Sequence, residues 1–253
     1  MSLGALDYLA AGGAAGAAGA VNALAGGGTL ISFPTLVGLG VPPVSANVTN
    51  TVSLVPGYLG ASWAQRSELE TYLSDSRLLA AVAAVGALAG SALLVTISSH
   101  AFRAAVPYLI LTACALLFFQ PRLRTVLASR RAGEGRRAAV LLGGGVFVSS
   151  LYGGFFGAGL GIMLLAVLGL CRPDPLVQLN ALKQALSAVV NIVAALFFVV
   201  SGPVVWSLVP VMAVASVIGG TAGGHLVKKV DSDRLRIAVV VIGVAVAIGF
   251  WLS

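Results

Sequence analysis

Lys183 stands in the stretch NALKQALSAVVN, and no other Lys or Arg lies so far inside an apolar segment. An ammonium group in hydrocarbon needs a partner. The eight carboxylates cannot supply it. Asp7 is in the N-terminal segment, and Glu68, Glu70, Asp75, Glu134, Asp174, Asp231 and Asp233 fall in predicted loops. An antiporter built on intramembrane carboxylates is therefore disfavoured, and an anion from outside the chain is the favoured partner. The competing reading is snorkelling to the near surface. Lys183 lies about eight residues, or ~12 Å of helix, beyond Pro175, which makes that reach a stretch. Gln178, Asn180, Gln184 and Asn191 belong to the same segment.

A second candidate is GGGTLISFPTLVGLGVPPVSANVTN, residues 26–50. Irregular backbone at membrane depth survives only where protein buries it or it lines a cavity. Gly26, Gly27 and Gly28 permit a break and a close approach of another group. A half-helix starting near Leu30 then presents free N–H groups and the positive end of its dipole, a site for an anion that needs no charged side chain. The alternative is that such glycines serve helix packing. That alternative is preferred for the small-xxx-small pairs Gly86 with Gly90 and Gly219 with Gly223. Pro42 and Pro43 suit the first turn of the next helix, and Asn47, Thr49, Asn50 and Thr51 follow within about two turns. At that depth they are expected to face the bundle interior.

The elements that carry these residues are membrane helices. The 253 residues are 58% hydrophobic and 9% charged, with mean hydropathy +1.02. Soluble domains are about 25% charged. Apolar segments fall at 4–25, 30–41, 44–65, 78–97 and 104–120, then at 138–156, 161–171, 176–201, 204–227 and 237–252. A bilayer core of ~30 Å needs about 20 helical residues, so 30–41 and 161–171 read as half-helices or re-entrant pieces. The expected fold is an all-α polytopic membrane protein of two inverted helical repeats with broken half-helices. Its parts are repeat 1–121, basic linker 122–137 and repeat 138–253.

The repeat shows as a constant offset. Gly26 answers to Gly159, Gly28 to Gly161, Pro42 to Pro175, Asn47 to Asn180, Asn50 to Lys183, Thr51 to Gln184 and Arg103 to Arg236. Weak internal symmetry of this kind is typical of secondary transporters. Loop charge sets the relative orientation. With the linker's Arg122, Arg124, Arg130, Arg131, Arg136 and Arg137 in the cytoplasm, inverted halves also place Arg66, Arg77, Arg172, Lys228, Lys229, Arg234 and Arg236 inside, against Arg103 outside. Parallel halves would move Arg172 and the 228–236 cluster out. The positive-inside rule prefers inversion.

Other classes find little support. The net charge of +7 is explained by those loops, and basic and aromatic residues are not interleaved as a nucleic-acid surface requires. Cys114 and Cys171 are too few for a metal site or disulfide framework. His100 and His225 sit near segment ends, and Trp63, Trp206 and Trp251 read as interface or packing aromatics. No catalytic or phosphate-loop motif is found. No enzyme activity, cofactor or metal is expected, and no nucleic-acid partner. The partners expected are a small anionic substrate and membrane lipid. The N-terminus lacks the basic start of a signal peptide and reads as the first membrane helix.

At GGGTLISFPTLVGLGVPPVSANVTNT in the first half the chain resembles the TauE/SafE family of sulfite and organosulfonate exporters. In the second half the resemblance rests on GGFFGAGLG, NALKQALSAVVNIVAALFFVVSG and VIGGTAGGHLVKKVDSDRLR. It implies transport of small sulfur-containing anions such as sulfite, sulfoacetate or thiosulfate across the bacterial inner membrane. It also implies a site of Gly26, Gly27, Gly28, Pro34, Asn47, Thr49 and Asn50, joined by Gly157, Gly159, Gly161, Asn180 and Lys183. Thr51 and Gln184 are added on their own chemistry. Val167 stands where the first half has Pro34, so the second half-helix is expected to be less sharply broken. An anion channel and a non-transporting accessory membrane protein are the alternatives.

Overall fold

A computed structural model describes residues 3–24, 26–69, 73–129, 136–226 and 232–252. These residues are almost wholly helical, with no strand among them. In chain order the helices are α1 (Ala5–Leu24), α2 (Thr29–Gly38), α3 (Pro43–Ala64), α4 (Arg66–Leu69), α5 (Leu73–Thr96) and α6 (Ser99–Ser129). Then follow α7 (Arg136–Phe155), α8 (Leu160–Cys171), α9 (Leu176–Ser201), α10 (Val209–Leu226) and α11 (Ser232–Leu252). Four stretches among the described residues are long and apolar enough to cross a bilayer: Ser76–Thr96, Ser99–Gln120, Ala138–Phe155 and Leu176–Ser201. Helices α2 and α8 are too short to cross, as their apolar runs predict. Helix α6 extends in both directions beyond the apolar run 104–120 and enters the stretch read as a linker. Residues 130–135 of that linker, with Arg130, Arg131 and Glu134, lie outside the described residues, as do Lys228 and Lys229.

Local sequence explains the ends of the broken helices. Pro42 and Pro175 are the N-caps of α3 and α9, with nearly the same backbone angles. Proline has no N–H for a helix start to orphan, so it suits this place. Helix α2 closes on Gly40 in the left-handed region at φ 86°, with the Val41 N–H donating to the Leu36 carbonyl and Gly40 to Val37. The second half has Pro173 at the corresponding place. There α8 ends in extended backbone at Arg172, whose guanidinium pairs with Asp174 at 2.7 Å.

Glycines set the close helix contacts and show which way the helices run. A methyl on Gly12 would stand 2.9 Å from Val211, one on Gly16 3.4 Å from the Ala215 carbonyl, and one on Gly19 2.5 Å from the Ser216 carbonyl. Helices α1 and α10 thus run the same way. So do α3 and α10, since Gly57 meets Ser216 and Gly224 meets Ala61 and Ala64. Gly86 meets Phe147, and Gly90 meets Leu151 and Phe155, which makes α5 and α7 parallel as well. Contact runs in opposite senses between α3 and α9 (Gln65 with Asn180, Tyr58 with Asn191) and between α6 and α11 (Tyr108 with Trp251, Cys114 with Val240). The glycines Gly86, Gly90, Gly219 and Gly223 all press on another helix's backbone, which is the packing role assigned to them.

Candidate functional site

The two helix breaks meet. Gly26, in the left-handed region at φ 84°, lies so near α8 that a methyl on it would stand 2.9 Å from the Gly161 Cα. A methyl on Gly161 would in turn stand 3.0 Å from the Gly26 Cα, 3.2 Å from Lys183 Cδ and 3.7 Å from its Nζ. Only paired glycines let two backbones approach so closely. Gly161 is in the first turn of α8, and Gly26 just precedes α2. Two helix N-termini and one ammonium group therefore share a small volume. Each terminus carries roughly half a positive charge, so with Lys183 the local charge is about +2.

Lys183 is 2% exposed, and it is the one buried charged side chain among the described residues. Its Nζ donates to the Asn22 carbonyl at 3.4 Å, near the end of α1. Asn22 also closes the first break, because its Oδ1 accepts from the Gly28 N–H at 2.7 Å. A side chain on Gly28 would run into the Ala18 carbonyl, so α2 can fold back over α1 only with glycine there. Gly27 faces Leu117.

The break in the second half is built differently. Gly157 and Gly159 are both left-handed, at φ 79° and 81°, against one such described residue in the first break. The second half-helix is thus no less sharply broken, contrary to what Val167 in place of a proline suggests. Two glycines turn the chain whatever follows in the helix. The Phe155 carbonyl, at the end of α7, accepts from Asn47 Nδ2 of α3 at 2.9 Å.

A polar stripe runs along each long helix at these breaks. On α9 it comprises Asn180, Lys183, Gln184, Ser187 and Asn191, spaced i, i+3, i+4, i+7 and i+11, which is one helix face. The same spacing on α3 gives Asn47, Asn50, Thr51, Leu54 and Tyr58. Tyr58 lies within hydrogen-bonding reach of both Asn191 and Asn22. Several stripe atoms are buried without a hydrogen bond: both polar atoms of the Gln184 amide, Asn50 Oδ1, Asn47 Oδ1 and Ser187 Oγ, with Asn22 Nδ2 beside the break. Buried polar atoms are seldom left so, and each calls for an explanation.

Not every candidate residue faces this cluster. Thr49 Oγ1 accepts from the Val205 N–H at 2.9 Å and so holds the α9–α10 connection. Asn180 Nδ2 donates to Gln65 Oε1 at 2.7 Å, tying α9 to the far end of α3. Thr51 Oγ1 donates to the Asn47 carbonyl within its own helix. Pro34 lines a cavity beyond the C-terminal half of α2. Asn22 and Tyr58 were not singled out from sequence. An asparagine four residues before a glycine run in an Ala/Gly helix was the available signal for the first. Nothing in the sequence marks Tyr58.

Aromatic rings cover the breaks on one side. Phe33 of α2 packs edge-on against Phe156 at 5.3 Å and stacks on Phe250 at 6.5 Å, while Phe102 meets Phe155 at 5.8 Å.

Comparison with known proteins agrees over nearly the whole chain. The family model described as sulfite exporter TauE/SafE matches residues 11–250. Among curated relatives, the probable membrane transporter protein YfcA of Escherichia coli is 30% identical, over 89% of this chain and 82% of its own length. A probable membrane transporter protein of Haemophilus influenzae is also 30% identical, over 87% of this chain and 85% of its own. The probable membrane transporter protein ORF9 of a Sinorhizobium species is 24% identical, over 91% and 87%. No solved structure matches the chain.

Proposed function

The chain belongs to the TauE/SafE family and is a multi-pass membrane transporter; from this premise we propose that it is a secondary transporter, and an exporter, of small sulfur-containing anions. Sulfite, thiosulfate and sulfoacetate are the substrates meant. The observation that carries this reading is the meeting of Gly26, Gly161 and Lys183. A local charge of about +2, with no buried carboxylate among the described residues, suits an anion of one or two charges. The backbone N–H groups of the breaks and the Lys183 ammonium hold it. Asn50 and Gln184 supply neutral hydrogen bonds through their amide N–H groups, and Asn47 and Asn22 position the two breaks. Such donors are at their strongest where water is excluded.

The halves 1–121 and 138–253 form inverted repeats in this reading, joined by a cytoplasmic linker 122–137 in the bacterial inner membrane. The antiparallel pairing of α3 with α9 and of α6 with α11 supports it, since these are the helices that correspond at the repeat offset. So does the asymmetry of loop charge. We assign the closures on the two sides of the site to the Phe33–Phe156 aromatic pair and the Asn180–Gln65 hydrogen bond. Rocking of one half on the other opens them in turn, over helix faces whose glycines let backbones slide in contact.

The test is a thermal-shift series on purified protein with sulfite, thiosulfate and sulfoacetate against acetate and chloride, followed by flux in proteoliposomes. A ligand that binds the folded state raises its stability by mass action. Sulfur anions are expected to stabilise the wild type and to leave Lys183→Ala unmoved, with flux abolished in that variant. Wild-type flux in Lys183→Ala, or equal stabilisation by acetate, overturns the reading.

A further inference from the structure

We propose a second anion site, distinct from the central one, that takes an anionic head carrying a short apolar chain. It lies where the α2–α3 turn meets the start of α6 and the end of α11. A cavity of about 450 Å3 opens there, within the usual size of small-molecule pockets. Its walls are apolar: Pro34 and Val37 of α2, Val41 of the turn, and Val246 and Phe250 of α11. Among the described residues Arg103 is its only charged lining residue. Arg103 is exposed and makes no hydrogen bond or ion pair among the described residues. No carbonyl at the C-terminal end of α2 accepts a hydrogen bond from it among the described residues. The carbonyls of Thr35, Leu36 and Val37 already accept from Leu39, Val41 and Gly40. A single guanidinium over an apolar hollow suits neither a bare inorganic ion nor a neutral chain. It suits an amphiphile whose head meets Arg103 and whose chain lies on the valines and Phe250.

Two features separate this site from the centre. Helix α2 stands between them: the cavity runs along it from Pro34 to Gly38, and the glycine break begins its other end, with Gly28 six to ten residues, or ~9–15 Å, away. The Phe250–Phe33–Phe156 stack then divides the cavity from the second break. Two glycines of the wall, Gly38 and Gly249, face open space, with no atom within 4 Å of where a side chain would start. The hollow is therefore kept by the lack of side chains at these positions, and either glycine can be enlarged without displacing a neighbour. The site stands whether or not Lys183 carries substrate. An anion approaching the transporter and the phosphate of a membrane lipid both have the chemistry described.

The experiment measures binding of methane-, butane- and hexanesulfonate, with hexanol as neutral control. It uses thermal shift in neutral detergent, on the wild type and on Lys183→Ala, so that loss of the central site does not hide the second. Affinity is expected to rise about fourfold per added methylene until the cavity is full. Arg103→Gln should weaken hexanesulfonate roughly tenfold. Gly249→Leu, and Gly38→Leu as a second filling variant, should erase the chain-length dependence. The proposal is overturned by methanesulfonate binding as tightly as hexanesulfonate, by hexanol binding equally well, or by unchanged affinity in Arg103→Gln. Repeating the titration in phosphatidylcholine nanodiscs with and without phosphatidylglycerol identifies the source. Competition by the anionic lipid that disappears in Arg103→Gln assigns the site to lipid, and absence of competition assigns it to the free anion.

Discussion

The two helix breaks correspond at the repeat offset and yet are held in opposite ways. At the first, a side chain does the work. Asn22 accepts the Gly28 N–H with its amide and offers its carbonyl to Lys183. At the second, backbone does it. Gly157 and Gly159 take left-handed angles, and the residue corresponding to Asn22 is Phe155, which contributes only a carbonyl, to Asn47. The partners that cross from the other half differ too. Asn47 reaches the second break, whereas the first is reached by Lys183, whose counterpart is Asn50, one turn along from Asn47. Two-fold repetition alone would give a symmetric crossing whose only positive charge is that of the two helix N-termini. The ammonium group enters where the symmetry fails.

The strongest way to break this comparison is to make the halves alike. Lys183→Asn gives α9 the residue that α3 has at the corresponding place. Loss of charged hydrogen bonds worth about 1.5–3 kcal/mol corresponds to roughly ten- to two-hundredfold in anion affinity. Flux in proteoliposomes should fall accordingly while the melting temperature holds. The double variant with Asn50→Lys moves the charge to the other half and should recover part of the flux. If Lys183→Asn transports like the wild type, the asymmetry has no bearing on function.

The next largest effect concerns stability. Gly26→Ala forces a side chain into left-handed backbone, at about 1–2 kcal/mol. It also presses a methyl to 2.9 Å from the Gly161 Cα, and overpacking of that kind costs a further ~1–3 kcal/mol. Gly159→Ala meets only the first cost, because its nearest neighbours stand at 3.5 Å. Melting temperatures should therefore order as wild type, then Gly159→Ala, then Gly26→Ala. The reverse order would mean that the two breaks do not cross at Gly26. Asn22→Ala comes third. It leaves the buried Gly28 N–H without its acceptor, at about 1–3 kcal/mol, and loosens the seat of Lys183. The same shift should appear in the melting temperature and, more weakly, in anion affinity.

Much of this crossing was legible in the chain. Three successive glycines before a twelve-residue apolar run state a break and a half-helix, and a lysine deep in an apolar segment marks the helix that meets it. The shortness of α2 and α8 and the helix start beside Pro42 follow from the same reading, whereas α6 runs well past its apolar segment. Other features were not legible, for definite reasons. A left-handed φ at Gly157 and Gly159 is a choice that glycine permits but does not announce, so the missing proline at Val167 pointed the wrong way. Thr49 and Asn180 look like site residues by position, but hydrogen bonds to Val205 and Gln65, distant in sequence, claim them. The role of Asn22 depends on α2 folding back over α1, which only tertiary packing decides.

The smallest predicted effect tests the quieter side of the comparison. Asn47 Nδ2 donates to the Phe155 carbonyl, while its Oδ1 is buried with no partner. Asn47→Ala removes one hydrogen bond and one unsatisfied acceptor together. These changes oppose each other, and the net cost should be at most about 1 kcal/mol. The second break should survive, because its turn is made by Gly157 and Gly159 rather than by the amide. Flux should then stay within about twofold of the wild type, in contrast to Lys183→Asn at the other break. Equal loss of flux in the two variants, each with an unchanged melting temperature, would show that both crossing side chains act on the anion. The charge would then be only one part of a symmetric cradle, and the difference between the breaks would be structural alone.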